Sequence, residues 1–154
     1  MNKNDQQLRS LVAQGWTTMF IVFLANLSLD VIRCIVVGDF SKWAKHLGLG
    51  GMDVIAVVMA IYALMPLLIR AVSDQWFKYV TVGVTVFMGL FVLAHEASHL
   101  VSGDKPFGIQ HALDITHHLL AISTTVAAAL WARRKPEQTK DESISPLLAG
   151  KATT

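Results

Sequence analysis

Five of the six histidines, His95, His99, His111, His117 and His118, fall in one short stretch, with Glu96 and Asp114 interleaved among them. Imidazole and carboxylate together ligate transition metals, exchange protons, or hold haem iron. Which of these they do depends on which side chains share a helical face. His95 and His99 are four residues apart, with Glu96 on the flank. His111, Asp114 and His118 follow an i, i+3, i+7 spacing, which is one stripe of a helix, and His117 lies beside Asp114. Asn26, Asp30 and Arg33 keep a comparable spacing earlier in the chain.

The elements that must position these groups are apolar. The chain has 154 residues, of which 53% are hydrophobic and 16% charged, where a soluble domain carries about 25% charged residues. Mean hydropathy is +0.49. This balance excludes a disordered tail protein and a nucleic-acid-binding domain, and the net charge of +2 points to no polyanionic partner. The single cysteine, Cys34, excludes an internal disulfide and a CxxC motif, and reads as an apolar filler.

A membrane-spanning helix needs about 20 mostly apolar residues. Four stretches meet that length: 16–37, 52–69 (with Pro66 as a kink near its end), 77–101 and 108–132. The predicted fold is therefore all-α, an integral membrane four-helix bundle with four transmembrane spans. Residues 1–15 form a polar N-terminal segment and 133–154 a disordered tail. The connection at 38–51 reads as an interfacial turn with Trp43 at headgroup level, Arg70 to Trp76 as a tight polar link, and 102–107 as a Gly/Pro turn. The first span carries Asp30 and Arg33 and starts far from the N-terminus, so it reads as retained rather than as a signal peptide.

Lysine and arginine placement sets the orientation. Lys3, Arg9, Arg70, Lys78, Arg133, Arg134, Lys135, Lys140 and Lys151 fall on one side of a four-span topology, and Lys42, Lys45 and Lys105 on the other. The rich side, with both termini, is expected to be cytoplasmic, in a bacterial inner membrane. Asn26, Asp30, Arg33, Asp53, His95, Glu96, His99, His111, Asp114, His117 and His118 then all lie towards the outer leaflet. Ionisable groups within spans cost several kcal/mol unless paired or hydrated, so their shared depth marks a site between helices.

Three metal readings fit these residues. His95-Glu96-Ala97-Ser98-His99 is an HExxH sequence, in which two imidazoles one turn apart bind zinc and Glu96 serves as the base for a bound water. It resembles the metal motif of intramembrane zinc proteases. The resemblance covers five residues and implies a zinc hydrolase with Glu96 catalytic and a third ligand from His111, Asp114 or His118. The Asp-Gly ligand motif of those proteases is absent, since Ile115 follows Asp114. The second reading is dinuclear: Glu96/His99 and Asp114/His117 are carboxylate-x-x-His pairs, and Asp30 and Asp53 add one carboxylate from each remaining span, the ligand division of four-helix di-iron and di-manganese proteins. In the third, His95 or His99 pairs with His111 or His118 as axial ligands of haem b.

Blander readings stand beside these. Asp30 and Arg33 can neutralise each other, Asp53 can cap the second helix, His117 can face headgroups, and His46 can be a surface residue. Met52, Met59, Met65 and Met88 read as ordinary bilayer residues. The whole cluster can also be a metal-free polar network that fixes helix packing, in a small membrane subunit or a proton- or ion-conducting element. The expectation is a site for zinc, iron, copper, manganese or haem at the outer face. His95, His99, His111 and His118 are its first ligands, with Glu96, Asp114 and His117 as ligands or their partners. Its function is then redox chemistry or metal handling. The expected partners are the lipid bilayer and other membrane subunits or further copies of the chain.

Overall fold

The computed structural model describes residues 3–41, 49–102 and 108–134, and the side chains at 49–52, 99, 100 and 102 fall outside that description. The described residues form four helices: α1 (Lys3–Val37), α2 (Leu49–Ala71), α3 (Gln75–Ser102) and α4 (Ile109–Ala132). Each contains a stretch long and apolar enough to cross a membrane. Large apolar side chains such as Ile21, Leu67, Leu90, Leu119 and Ile122 are exposed on the outside of the bundle, a surface compatible with lipid. Trp43, His46 and residues 135–154 lie outside the described residues.

The helix ends follow local chemistry. Gly38 takes a positive φ of 68°, the left-handed conformation that ends helices at glycine without a Cβ penalty, and its N–H donates to the Ile35 carbonyl at 3.3 Å. Asp39 Oδ1 then accepts the Ser41 N–H at 2.8 Å and the Ser41 hydroxyl at 2.5 Å. Between α2 and α3 only residues 72–74 intervene. The Asp74 carbonyl starts α3 by accepting the Phe77 N–H at 3.1 Å.

Three boundaries differ from the sequence expectation. α1 runs unbroken through residues 3–15, because Val12, Ala13 and Trp16 are fully buried and Arg9 is engaged by another helix. α2 begins at Leu49, so Asp53 sits inside the helix rather than at its cap. α2 also continues through Pro66 to Ala71.

α1 packs against α2 and α4, and α4 packs against α3. The order around the bundle is therefore α2–α1–α4–α3. Where α2 and α3 face each other a groove of about 280 Å³ remains, walled by Val54, Val57, Val58 and Ile61 on one side and Phe87, Met88 and Phe91 on the other. The α1/α4 seam is the tight one. A Cβ on Gly15 would lie 2.2 Å from Thr124 Oγ1, so a hydrogen at that position is what lets the two backbones approach.

The end of the bundle that carries both described termini is tied together by side chains on helix carbonyls. Arg9 Nε donates to the Ile69 carbonyl at 2.5 Å, and Arg9 Nη2 to those of Arg70 at 2.7 Å and Val72 at 3.1 Å. Gln75 Nε2 donates to the Ala132 carbonyl at 2.5 Å. Lys78 Nζ pairs with Asp5 at 2.9 Å, reaches the Arg134 carbonyl at 3.3 Å and sits 5.2 Å from the Trp131 ring centroid. Cations at helix C-termini meet the last unpaired carbonyls and the negative end of the dipole.

Candidate functional site

The polar residues of the opposite end organise on the α1/α4 seam. Asn26 Nδ2 donates to Asp114 Oδ1, and Gln110 Nε2 donates to Asp30 Oδ1. Asn26 and Asp30 are one turn apart on α1, and Gln110 and Asp114 are one turn apart on α4. Antiparallel packing therefore brings each amide opposite a carboxylate. Gln110 and Asp114 are buried at 7% and 6% exposure. The pairing satisfies groups that lipid cannot hydrogen-bond.

One turn deeper on α4, His117 is 3% exposed and does not face headgroups. Its Nε2 shares a 2.8 Å hydrogen bond with the Tyr62 hydroxyl of α2. Tyr62 is itself fully buried within an aromatic cage: Trp16, Phe20 and Phe23 of α1 place their ring centroids 5.6, 6.2 and 5.5 Å from its own. The cage fixes the phenol direction, and the imidazole meets the phenol ring edge-on at 87°.

Asp30 thus finds its partner across the seam rather than in Arg33, which is exposed. His111 and His118 are half-buried on α4, and the His118 ring lies 6.3 Å from that of His117. On α3, Glu96 is half-buried and His95 exposed. His99 belongs to α3, and its side chain lies outside the described residues. Asp53 is exposed at the edge of the α2/α3 groove, while Asp30 and Asp114 occupy the α1/α4 seam. Three of the four carboxylates of the dinuclear reading are thus divided between two seams, and the fourth, Glu96, belongs to α3. Among the described residues, no three of His, Cys, Asp and Glu gather in a group able to hold a metal ion.

Two members of the network, Tyr62 and Gln110, were not picked out from the sequence. Gln110 carried a signal: the amide–x3–acid spacing Asn26/Asp30 recurs as Gln110/Asp114 on a helix of opposite direction. Tyr62 carried a weaker one, as a phenol in the middle of a span where its hydroxyl must find a partner. No protein-family model, curated protein or solved structure matches the chain.

Proposed function

We propose that the protein is a small, non-enzymatic membrane protein whose His/Asp network takes up protons at the outer face and passes them to the middle of the bundle. The orientation rests on the gathering of Arg9, Arg70, Lys78 and Arg134 at the other end, the cytoplasmic one by the charge rule. The observation that carries the reading is the buried His117–Tyr62 hydrogen bond of 2.8 Å, one turn below Asp114. Carboxyl, imidazole and phenol are the side chains that give and accept protons, and here they stand at successive depths. Asn26 adds support. Its Oδ1 is buried and meets no donor among the described residues, while its Nδ2 donates to Asp114. A proton carried by the Asp114 carboxyl would reach that oxygen and close a two-bond acid–amide pair.

The test is infrared difference spectroscopy of the protein in lipid nanodiscs, between mildly alkaline and mildly acidic buffer. A carboxylic-acid carbonyl band that appears on acidification and is lost in Asp114→Asn is expected. Full retention of that band in Asp114→Asn overturns the assignment.

A second reading, a transition-metal or haem site, is favoured by a different place. α3 and α4 pack together, and His95 and His99 lie in the last turns of α3 and His111 and His118 in the first turns of α4. Imidazole suits zinc, copper and iron, and paired imidazoles suit haem. These four residues would hold the metal, with Glu96 beside them as ligand or base, for redox chemistry or metal handling. Elemental analysis and an absorption spectrum of the purified protein test it. Stoichiometric metal or a haem band, lost in His95→Ala and His118→Ala, supports this reading. Retention of the metal by both variants removes these ligands.

A further inference from the structure

Three neighbouring helix pairs close against each other: α1 with α2, α1 with α4, and α3 with α4. The remaining pair, α2 and α3, stands apart and leaves the groove of about 280 Å³. Val58 and Met88 are buried at its floor. Phe87 and Phe91 form an aromatic wall on α3, their rings stacked at 6.4 Å and 25°. On the α2 side the wall includes Val57, which is exposed.

Asp53 is the one polar residue among those that line the groove, and it stands exposed at the edge, about one turn into α2. It has no hydrogen-bond partner and no ion pair among the described residues, Arg33 included. A carboxylate in a membrane-spanning helix calls for a cation or for water. The groove therefore joins an apolar slot to an uncompensated negative charge.

Size and charge together select what fills it. From Asp53 to Ile61 the groove runs about 12 Å along α2, and a helix about 10 Å across would need about three times its volume to lie within it. A single hydrocarbon chain fits where a helix of a second copy does not. The charge at the edge selects a chain that carries a cationic head.

We propose that the α2/α3 groove binds an aminophospholipid of the outer leaflet, with one acyl chain along Phe87 and Phe91 and the ammonium group paired with Asp53. The leaflet follows from the charge rule, which puts Arg70 at the cytoplasmic end of α2. A primary ammonium donates charge-assisted hydrogen bonds to a carboxylate. A trimethylated choline head has no N–H to donate, so the site prefers ethanolamine to choline. The lipid fills the seam that helix packing leaves open. This site is separate from the proton relay of the α1/α4 seam and does not depend on it.

Native mass spectrometry of the full chain in mild detergent, titrated with phosphatidylethanolamine or phosphatidylcholine, counts bound lipids one at a time. The first phosphatidylethanolamine should bind about threefold more tightly than the first phosphatidylcholine, the effect of one exposed ion pair. Asp53→Asn should level the two lipids, and Asp53→Glu should keep the preference. Val57→Trp, which fills the groove, should weaken the first adduct and remove the preference. Circular dichroism and gel filtration report the folding and oligomeric state of each variant. Equal binding of both lipids by the wild type, or a preference unchanged in folded Asp53→Asn, overturns the assignment. A preference that survives in folded Val57→Trp places the lipid elsewhere and removes the groove. A wild-type dimer that Val57→Trp dissociates gives the groove to a second copy and overturns the lipid. The Asp114 infrared band should be unchanged in Asp53→Asn, so failure here leaves the relay standing and failure there leaves the lipid site standing.

Discussion

Asn26 of α1 donates its carboxamide to the Asp114 carboxylate of α4, and one turn outward the same pairing recurs with the roles of the helices exchanged, Gln110 giving to Asp30. The seam is thus held by two amide–carboxylate pairs that run in opposite senses. This arrangement fixes both the register of α1 against α4 and their antiparallel direction.

The exchange can be made by mutation. Asn26→Asp alone sets two carboxylates against each other and should destabilise the bundle by about 2 kcal/mol. Asp114→Asn alone removes the charge-assisted bond and should cost about 1 kcal/mol. Asn26→Asp combined with Asp114→Asn restores an amide opposite a carboxylate. Unfolding by sodium dodecyl sulfate in mixed micelles should show the double variant closer to wild type than Asn26→Asp. A double variant with summed losses would mean the two residues do not share a bond.

Tyr62→Phe keeps the stacking with Phe20 and Phe23 and removes only the hydroxyl that meets His117. Interhelical hydrogen bonds in membranes contribute about 0.6–2 kcal/mol, and a loss in that range is expected in the same unfolding assay. In a double-mutant cycle with His117→Phe the two losses should be strongly non-additive. Additive losses would break the link between the residues.

Gly15→Ala drives a methyl into Thr124 Oγ1, where the gap is 2.2 Å. The helices must separate or Thr124 must rotate, and overpacking of this kind costs about 1–3 kcal/mol. Adding Thr124→Ala removes the clashing hydroxyl and methyl and should recover part of the loss. The rescue, read as a higher melting temperature of the double variant than of Gly15→Ala, is the decisive comparison.

Arg9 spans three carbonyls at the end of α2. A lysine cannot reproduce the fork of the guanidinium. Arg9→Lys should therefore loosen the α2 terminus nearly as much as Arg9→Ala, by about 1 kcal/mol. Faster hydrogen exchange of the amides from Leu68 to Val72, with the α4 amides unaffected, is the expected signature. Equal exchange in Arg9→Lys and wild type would show that charge alone suffices.

The number, order and approximate limits of the four helices are written in the chain, because lipid demands long unbroken apolar runs and those runs are visible as composition. So is the placement of Asn26, Asp30, Asp114, His95, His99, His111, His117 and His118 towards one end, since a topology follows directly from where the runs stop. Periodicity was informative within a helix: Asn26 and Asp30 do share a face, and so do Gln110 and Asp114. It was silent about which helices adjoin. Asp30 could meet Arg33 along α1 or Gln110 across the seam with equal spacing, and only the packing order α2–α1–α4–α3 decides for Gln110. The same order turns Asp53 to the α2/α3 groove, away from Asp30 and Asp114, and brings Tyr62 to His117. The contact of Gly15 with Thr124 shows why. Which seam closes depends on where two backbones can approach without a Cβ between them, and that is a property of a pair of helices, present in neither one alone.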